Sequence, residues 1–286
     1  MSIHAFLIEP DELRGLQGDP SLRIFDATVL FSAEEHARDR YLDAHVPGAA
    51  FLDHAVLSDP SADYMYMLPD ADRLAAGIGG LGISNDDLVV VYSSDTLMWA
   101  TRAFWVLRHA GHERVRILNG GLRAWQESGG PVESGEHAYA RATFTPRLRP
   151  EMIVGREEVL AAIGNDAVCT INALPAAFYE GSDAVPYARH GHITGSTNKP
   201  FSEIAPEERY PSLEALRTAL ADGGYLGDER VISYCGGGIS ATVSAVGCLM
   251  VGKQDVAVYD GSMSEWLGEG LPTTQGAEPG CLHEGT

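Results

Sequence analysis

Cys235 opens the run Cys235-Gly236-Gly237-Gly238-Ile239-Ser240, a thiol followed by three glycines, and that pattern suits nucleophilic sulfur chemistry. Consecutive glycines allow backbone angles that side chains forbid, so several N–H groups can turn inward around one sulfur. The apolar run Arg230-Val-Ile-Ser-Tyr234 before it has strand length, and a helical stretch follows from about Ala241. Open α/β sheets bind ligands in such strand-to-helix loops, where the helix dipole adds positive potential. Both features favour a thiolate. Cys235 is therefore the predicted nucleophile, with Gly236, Gly237, Gly238, Ile239 and Ser240 as the loop that cradles its sulfur.

The other cysteines read differently. Cys169 lies in the apolar run 167–171 and Cys248 in the middle of a helical stretch, where a cysteine behaves as a small buried hydrophobe; Cys281 sits in a Gly/Pro tail. Four cysteines at irregular spacing form neither a disulfide framework nor a paired zinc pattern. His190-x-His192 has no third or fourth ligand nearby, so no metal is expected.

Three other chemistries use a loop of this kind. An oxyanion-binding C-x5-R loop needs Arg six residues after the cysteine, and that residue is Ala241. A nucleotide P-loop needs a Lys after its glycines, and none follows. A dinucleotide fingerprint is formally met by Gly236-x-Gly238-x-x-Ala241, with Asp255 and Asp260 about 20 residues on. Against it, the unit comes late in its half of the chain, and the corresponding loop Ser94–Trp99 has no glycine.

The elements that must position this loop occur twice. Thr101 and Thr242, Gly111 and Gly252, Gly120 and Gly261, and Trp125 and Trp266 all differ by 141 positions. Upstream, His45-Val-Pro-Gly-Ala49 matches His192-Ile-Thr-Gly-Ser196, and Phe25-Asp-Ala27 matches Ile171-Asn-Ala173, at offsets of 146 to 147. A period this long indicates a duplicated domain. The Gly/Pro-rich stretch through Pro150 reads as a linker, and the boundary is placed near residue 145, giving domains 1–145 and 146–286. In each half, apolar runs of strand length (Leu88–Tyr92 and Val115–Leu118; Arg230–Tyr234 and Val256–Tyr259) alternate with helical patterns. The fold class is α/β: two similar doubly wound domains, each a central parallel sheet flanked by helices. Trp125 and Trp266 read as core. Under the fixed offset, Ser94 stands where Cys235 stands in the second half.

With 45% hydrophobic and 21% charged residues, the 286-residue chain can bury a sizeable core. Forty acidic against twenty basic residues give a formal charge of −20, which disfavours nucleic acid as a partner. The apolar run 243–252 is too short to span a membrane, and the start of the chain lacks a cationic segment, so a cytoplasmic location is expected.

On these blocks, which extend over essentially the whole chain, the sequence resembles the tandem-domain rhodanese-like sulfurtransferases, the thiosulfate and 3-mercaptopyruvate enzymes. The resemblance implies two rhodanese-like domains, an inactive first one and a second whose Cys235 carries sulfur as a persulfide. It implies a small anionic donor, a thiol, cyanide or thioredoxin-like acceptor, ping-pong kinetics and no cofactor. The neutral residues after Cys235 look like the mercaptopyruvate type, although Gly237 replaces a serine of that loop. Other positions depart from the pattern. The Asp and His that the first domain of the mercaptopyruvate enzymes offers to the site read Ala55 and Tyr66. The Asp-Ala-Arg element reads Asn172-Ala173-Leu174, and a second Arg is replaced near Ala177-Phe178. Arg189, Lys199 and Tyr66 remain as substrate-binding candidates. The departures also fit a second expectation, a degenerate module that carries sulfur or binds a partner without turning over the standard donors.

Overall fold

Leu88-Val-Val-Val-Tyr92 is buried at every position, as a central strand covered on both faces must be. The computed structural model describes residues 5–32, 34–182 and 191–277. Two compact units are found. The first comprises Met1–Pro60, Leu68–Arg149 and Glu207–Tyr210, and the second Ser61–Met67, Pro150–Pro206 and Pro211–Thr286.

In the first unit, strands β1 (Leu7–Ile8), β2 (Leu22–Asp26), β3 (Ala49–Phe51), β4 (Leu88–Tyr92) and β5 (Val115–Leu118) form a parallel sheet in the order β1-β5-β4-β2-β3. Helices α1 (Pro10–Leu16), α2 (Ala37–Asp43), α3 (Ala71–Gly80), α4 (Leu97–His109) and α5 (Gly121–Glu127) connect and cover it. The second unit repeats the plan with β6 (Ile153–Val154), β7 (Val168–Asn172), β8 (His192–Ile193), β9 (Thr197–Asn198), β10 (Arg230–Tyr234) and β11 (Val256–Tyr259). Its parallel sheet runs β6-β11-β10-β7-β9, while β8 pairs antiparallel with β12 (Thr273–Thr274). Its helices are α6 (Arg156–Ala162), α7 (Ala176–Glu180), α8 (Phe201–Ile204), α9 (Leu213–Asp222), α10 (Ala241–Met250) and α11 (Ser262–Gly268). The four strands expected from apolar runs are found with the expected limits. Every residue of α10 is buried, because this helix packs on β10 and β11 as well as on α8 and α9.

The repeated blocks do the same structural work in both units. His45 and His192 are buried, bond through Nδ1 to the carbonyls of Tyr41 and Tyr179, and stack on those rings with centroids 4.3 and 3.7 Å apart. The hydroxyls of Tyr92 and Tyr234 accept the N–H groups of Val46 and Ile193, each at 3.1 Å. Trp125 and Trp266 are fully buried and donate through Nε1 to the carbonyls of Pro131 and Pro272. His192 is thus part of this scaffold, and His190 lies outside the described residues.

Strand register corrects the fixed offset of 141. Tyr92 pairs with Asp26 and Tyr234 with Asn172, so these tyrosines correspond, 142 positions apart. The loop of the first unit is one residue longer, and the counterpart of Cys235 is Ser93 rather than Ser94.

The two units differ at a buried position. Asp26 and its counterpart Asn172 are both fully buried. Asp26 accepts from the Thr28 N–H at 3.0 Å and from the Thr28 hydroxyl, but burial is the larger effect and raises its carboxyl above the usual range. An acid raised in the folded state stabilises the fold below its unfolded pKa, and that contribution is lost as pH climbs through the folded value. Asp26→Asn, the residue the second unit uses, is therefore expected to raise Tm at neutral pH. A gain of about 1 kcal/mol corresponds to roughly 2–4 °C in a fold of this size. The difference should vanish in acid, as thermal melts of both proteins across pH will check; an equal Tm at every pH would contradict the assignment.

Candidate active site

In the second unit the chain passes from β7 to β9 on one side and from β10 to β11 on the other. The crevice where the winding direction reverses lies between the carboxyl ends of β7 and β10, the ligand position of open α/β sheets. Two loops leave the sheet there, Asn172-Ala173-Leu174 and the loop that begins at Cys235. Cys235 follows β10 directly, is 2% exposed, and is a free thiol.

The loop differs from the expected cradle in one respect. The Ile239 N–H donates to Cys235 Sγ at 3.2 Å, but the Gly238 N–H is turned away from the sulfur. It donates to Ser262 Oγ at 3.0 Å, as does the N–H of Cys235 itself, while the Ser262 hydroxyl donates to the Tyr259 carbonyl at 2.8 Å. The N–H of Met263 donates to the Cys235 carbonyl at 3.0 Å, and the N–H and hydroxyl of Ser264 both donate to the Gly236 carbonyl. The start of α11 therefore clasps the loop from below. The amides of Gly236, Gly237 and Ser240 carry no bond among the described residues, which leaves them as donors for a sulfur bonded to Sγ. Ile239 and Ser240 are buried and lead into α10, a ten-residue helix whose positive end faces the loop.

Of the three glycines, Gly238 is the one whose conformation requires glycine, with φ of +71°. At Gly237 an added Cβ would meet nothing closer than Ser264 Oγ at 3.8 Å. The bonds of Ser262 and Ser264 to the loop were not read from the sequence, where their block served only as scaffold. A signal was present: the other copy has Gly121 and Arg123 at these positions, so the serines occur only in the half with the cysteine. Ser262 holds φ at +48° while fully buried, a conformation that costs a residue with a side chain of order 1–3 kcal/mol.

In the first unit a serine stands at the corresponding place. Ser93 follows β4, and the first N–H of α4, that of Leu97, donates to the Glu208 carboxylate at 2.5 Å. Burial raises the Glu208 carboxyl above its usual range. A protein carboxylate thus sits at the start of α4. Glu207 and Glu208 are held at φ of +56° and +59°, with Arg123 donating to the Glu207 carbonyl.

Of the remaining sequence candidates, Lys199 and Tyr66 lie among the described residues. The Lys199 ammonium is bonded to Glu203 Oε2 at 2.7 Å, and it lines an open surface depression together with Glu203, Glu214 and Asp222. No residue of the Cys235 loop lines that depression. The cation expected to face an anionic donor is thus paired with its i,i+4 neighbour. Tyr66 is half-buried with φ of +64° and belongs to the second unit. Arg189 lies outside the described residues. Asn172 uses its Oδ1 to accept the Leu174 N–H at 2.7 Å, and Leu174 places a half-buried apolar side chain where the pattern has Arg. Among the described residues no three His, Cys, Asp or Glu side chains come together as metal ligands.

The family model for the rhodanese-like domain matches residues 9–128 and again 158–269, one copy in each half. The chain belongs to the rhodanese-like domain family. This rhodanese-like protein is 35% identical over 271 residues to thiosulfate sulfurtransferase from Rattus norvegicus, covering 93% of this chain and 91% of that protein. It is 33% identical over 252 residues to 3-mercaptopyruvate sulfurtransferase from Escherichia coli strain K12, with coverage of 87% and 90%. A solved 3-mercaptopyruvate sulfotransferase from Escherichia coli superposes with a TM-score of 0.83 at 31% identity, covering 90% of this chain and 98% of that one. Among the described residues no helix of the rhodanese-like protein is long and apolar enough to cross a membrane.

Proposed function

We propose that this rhodanese-like protein is a sulfurtransferase that carries sulfane sulfur on Cys235, with 3-mercaptopyruvate as its donor in preference to thiosulfate. The observation that carries the reading is Cys235 at the switch-point crevice, its sulfur accepting one loop N–H while further loop amides stay unbonded among the described residues. In the first half-reaction the Cys235 thiolate attacks the donor sulfur. An S–S bond forms, the donor's C–S bond breaks, and its electron pair leaves on the enolate of pyruvate, which takes a proton. The persulfide's outer sulfur then passes to an acceptor thiolate or cyanide, and the Cys235 thiolate leaves. The amides of Gly236, Gly237 and Ser240 are the groups available to hold charge on the outer sulfur.

Donor preference follows from charge. Thiosulfate is a dianion, and residues 236–240 offer backbone N–H groups but no cation. A monoanionic donor with a polarisable C–S bond asks less of such a loop. Steady-state kinetics with both donors and cyanide test this: kcat/KM for 3-mercaptopyruvate should exceed that for thiosulfate by at least about tenfold, a difference of roughly 1.4 kcal/mol. The reverse order would overturn the donor assignment.

A second reading is favoured by Leu174 and by the pairing of Lys199 with Glu203. In it the protein accepts sulfur from a dedicated thiol or protein partner, thioredoxin-like in kind, and uses neither small donor. In both readings the free thiols at Cys169, Cys235 and Cys248 suit a reducing compartment such as the cytoplasm.

A further inference from the structure

Ser262 is fully buried, has φ of +48°, and spends its hydroxyl on three bonds at once. It accepts the N–H groups of Cys235 and Gly238, each at 3.0 Å, and donates to the Tyr259 carbonyl at 2.8 Å. In the other copy of the fold the corresponding residue is Gly121, with φ of +59°, where an added Cβ would lie 2.0 Å from the Ser93 carbonyl oxygen. The left-handed turn is common to both units, yet the active half places there a residue that the conformation disfavours. Its hydroxyl ties the two ends of the Cys235–Gly238 turn to one oxygen.

We propose that Ser262 is a positioning residue for sulfur transfer, holding the Gly238 amide away from the sulfur so that the Ile239 N–H meets Sγ and the Gly236 and Gly237 amides stay open for the outer sulfur. The proposal rests on Cys235 as sulfur carrier. Without the hydroxyl, the amides of Cys235 and Gly238 lose their common acceptor and the turn is no longer fixed. Transition-state stabilisation by preset donors then falls, because the donors must reorganise as charge develops.

Two variants separate this role from a structural one. Ser262→Gly relieves the backbone conformation and Ser262→Ala retains it, and both remove the hydroxyl. Thermal melts should place Ser262→Gly above Ser262→Ala. Both should show kcat reduced by about 10- to 100-fold with donor KM little changed, as expected for an interaction made in the transition state. Activity that follows stability instead, with Ser262→Gly close to wild type, would overturn the proposal. Amide exchange in the wild-type protein gives a reading that needs no variant: Cys235 and Gly238 should exchange slowly and Gly236 and Gly237 fast. Equal exchange across the four would also overturn it. Failure of wild type to take up sulfur would remove Cys235 as carrier, whereas normal loading by wild type and by Ser262→Gly alike would remove only the role of Ser262.

Discussion

Cys235→Ser is expected to abolish sulfur transfer, with kcat falling by at least about 10³-fold while the fold stays intact. Serine fits, since Ser93 holds the corresponding place after β4 and a hydroxyl can accept the Ile239 N–H as the thiol does. What is lost is chemistry, because an alcohol is scarcely ionised near neutral pH and cannot form a persulfide. The other described cysteines serve as controls. Cys169 and Cys248 are buried, and burial pushes the Cys248 thiol far above its ordinary range. Cys169→Ala and Cys248→Ala should therefore cost stability and leave kcat near wild type. Steady-state rates for the three variants, beside their melting temperatures, decide the matter; residual turnover in Cys235→Ser at a tenth of wild type would contradict the assignment.

The second large effect belongs to Gly238→Ala. With φ of +71°, Gly238 occupies the left-handed region, which costs an L-residue about 1–2 kcal/mol. Its N–H is also one of the two bonds that tie the loop to Ser262. Alanine either bears that strain or reshapes the turn and moves the amides that face the sulfur. A fall in kcat of about 10- to 100-fold is expected, equivalent to roughly 1.4–2.7 kcal/mol of transition-state stabilisation. Gly237→Ser is the matched control, because a Cβ at that position meets nothing closer than 3.8 Å and the backbone is unstrained. It should retain stability and keep its amide in place, so that kcat falls by less than in Gly238→Ala. Parallel kinetics on the two variants test the point, and equal losses would show that the loop merely resists any added bulk.

The extent to which the fold was legible follows from the repeat. Apolar runs such as Val89-Val-Val and Val256-Ala-Val report central parallel strands because burial on both faces removes alternation. The place of the thiol was legible too: glycines after a strand mark a loop that must admit close backbone contacts, and Cys235 follows β10 directly. The one-residue slip between Tyr92 and Tyr234 was not, because loop length is invisible to a fixed offset and emerges from which residues pair across the sheet. Ser262 was hidden for a related reason: a hydroxyl's partners depend on a turn that brings residues 235, 238 and 259 to one oxygen. The charge of Lys199 is legible in the sequence, while its pairing with the Glu203 carboxylate becomes evident only once α8 forms.

Sulfur uptake on Cys235 is tested most directly by intact-mass analysis after separate incubation with 3-mercaptopyruvate and thiosulfate, with Cys235→Ser alongside. The expected result is the addition of one sulfur atom to wild type, more completely with 3-mercaptopyruvate, and none to the variant. Wild-type protein that stays folded and gains no sulfur from either donor would contradict turnover of the standard donors, and sulfur on Cys235→Ser would contradict the thiol itself.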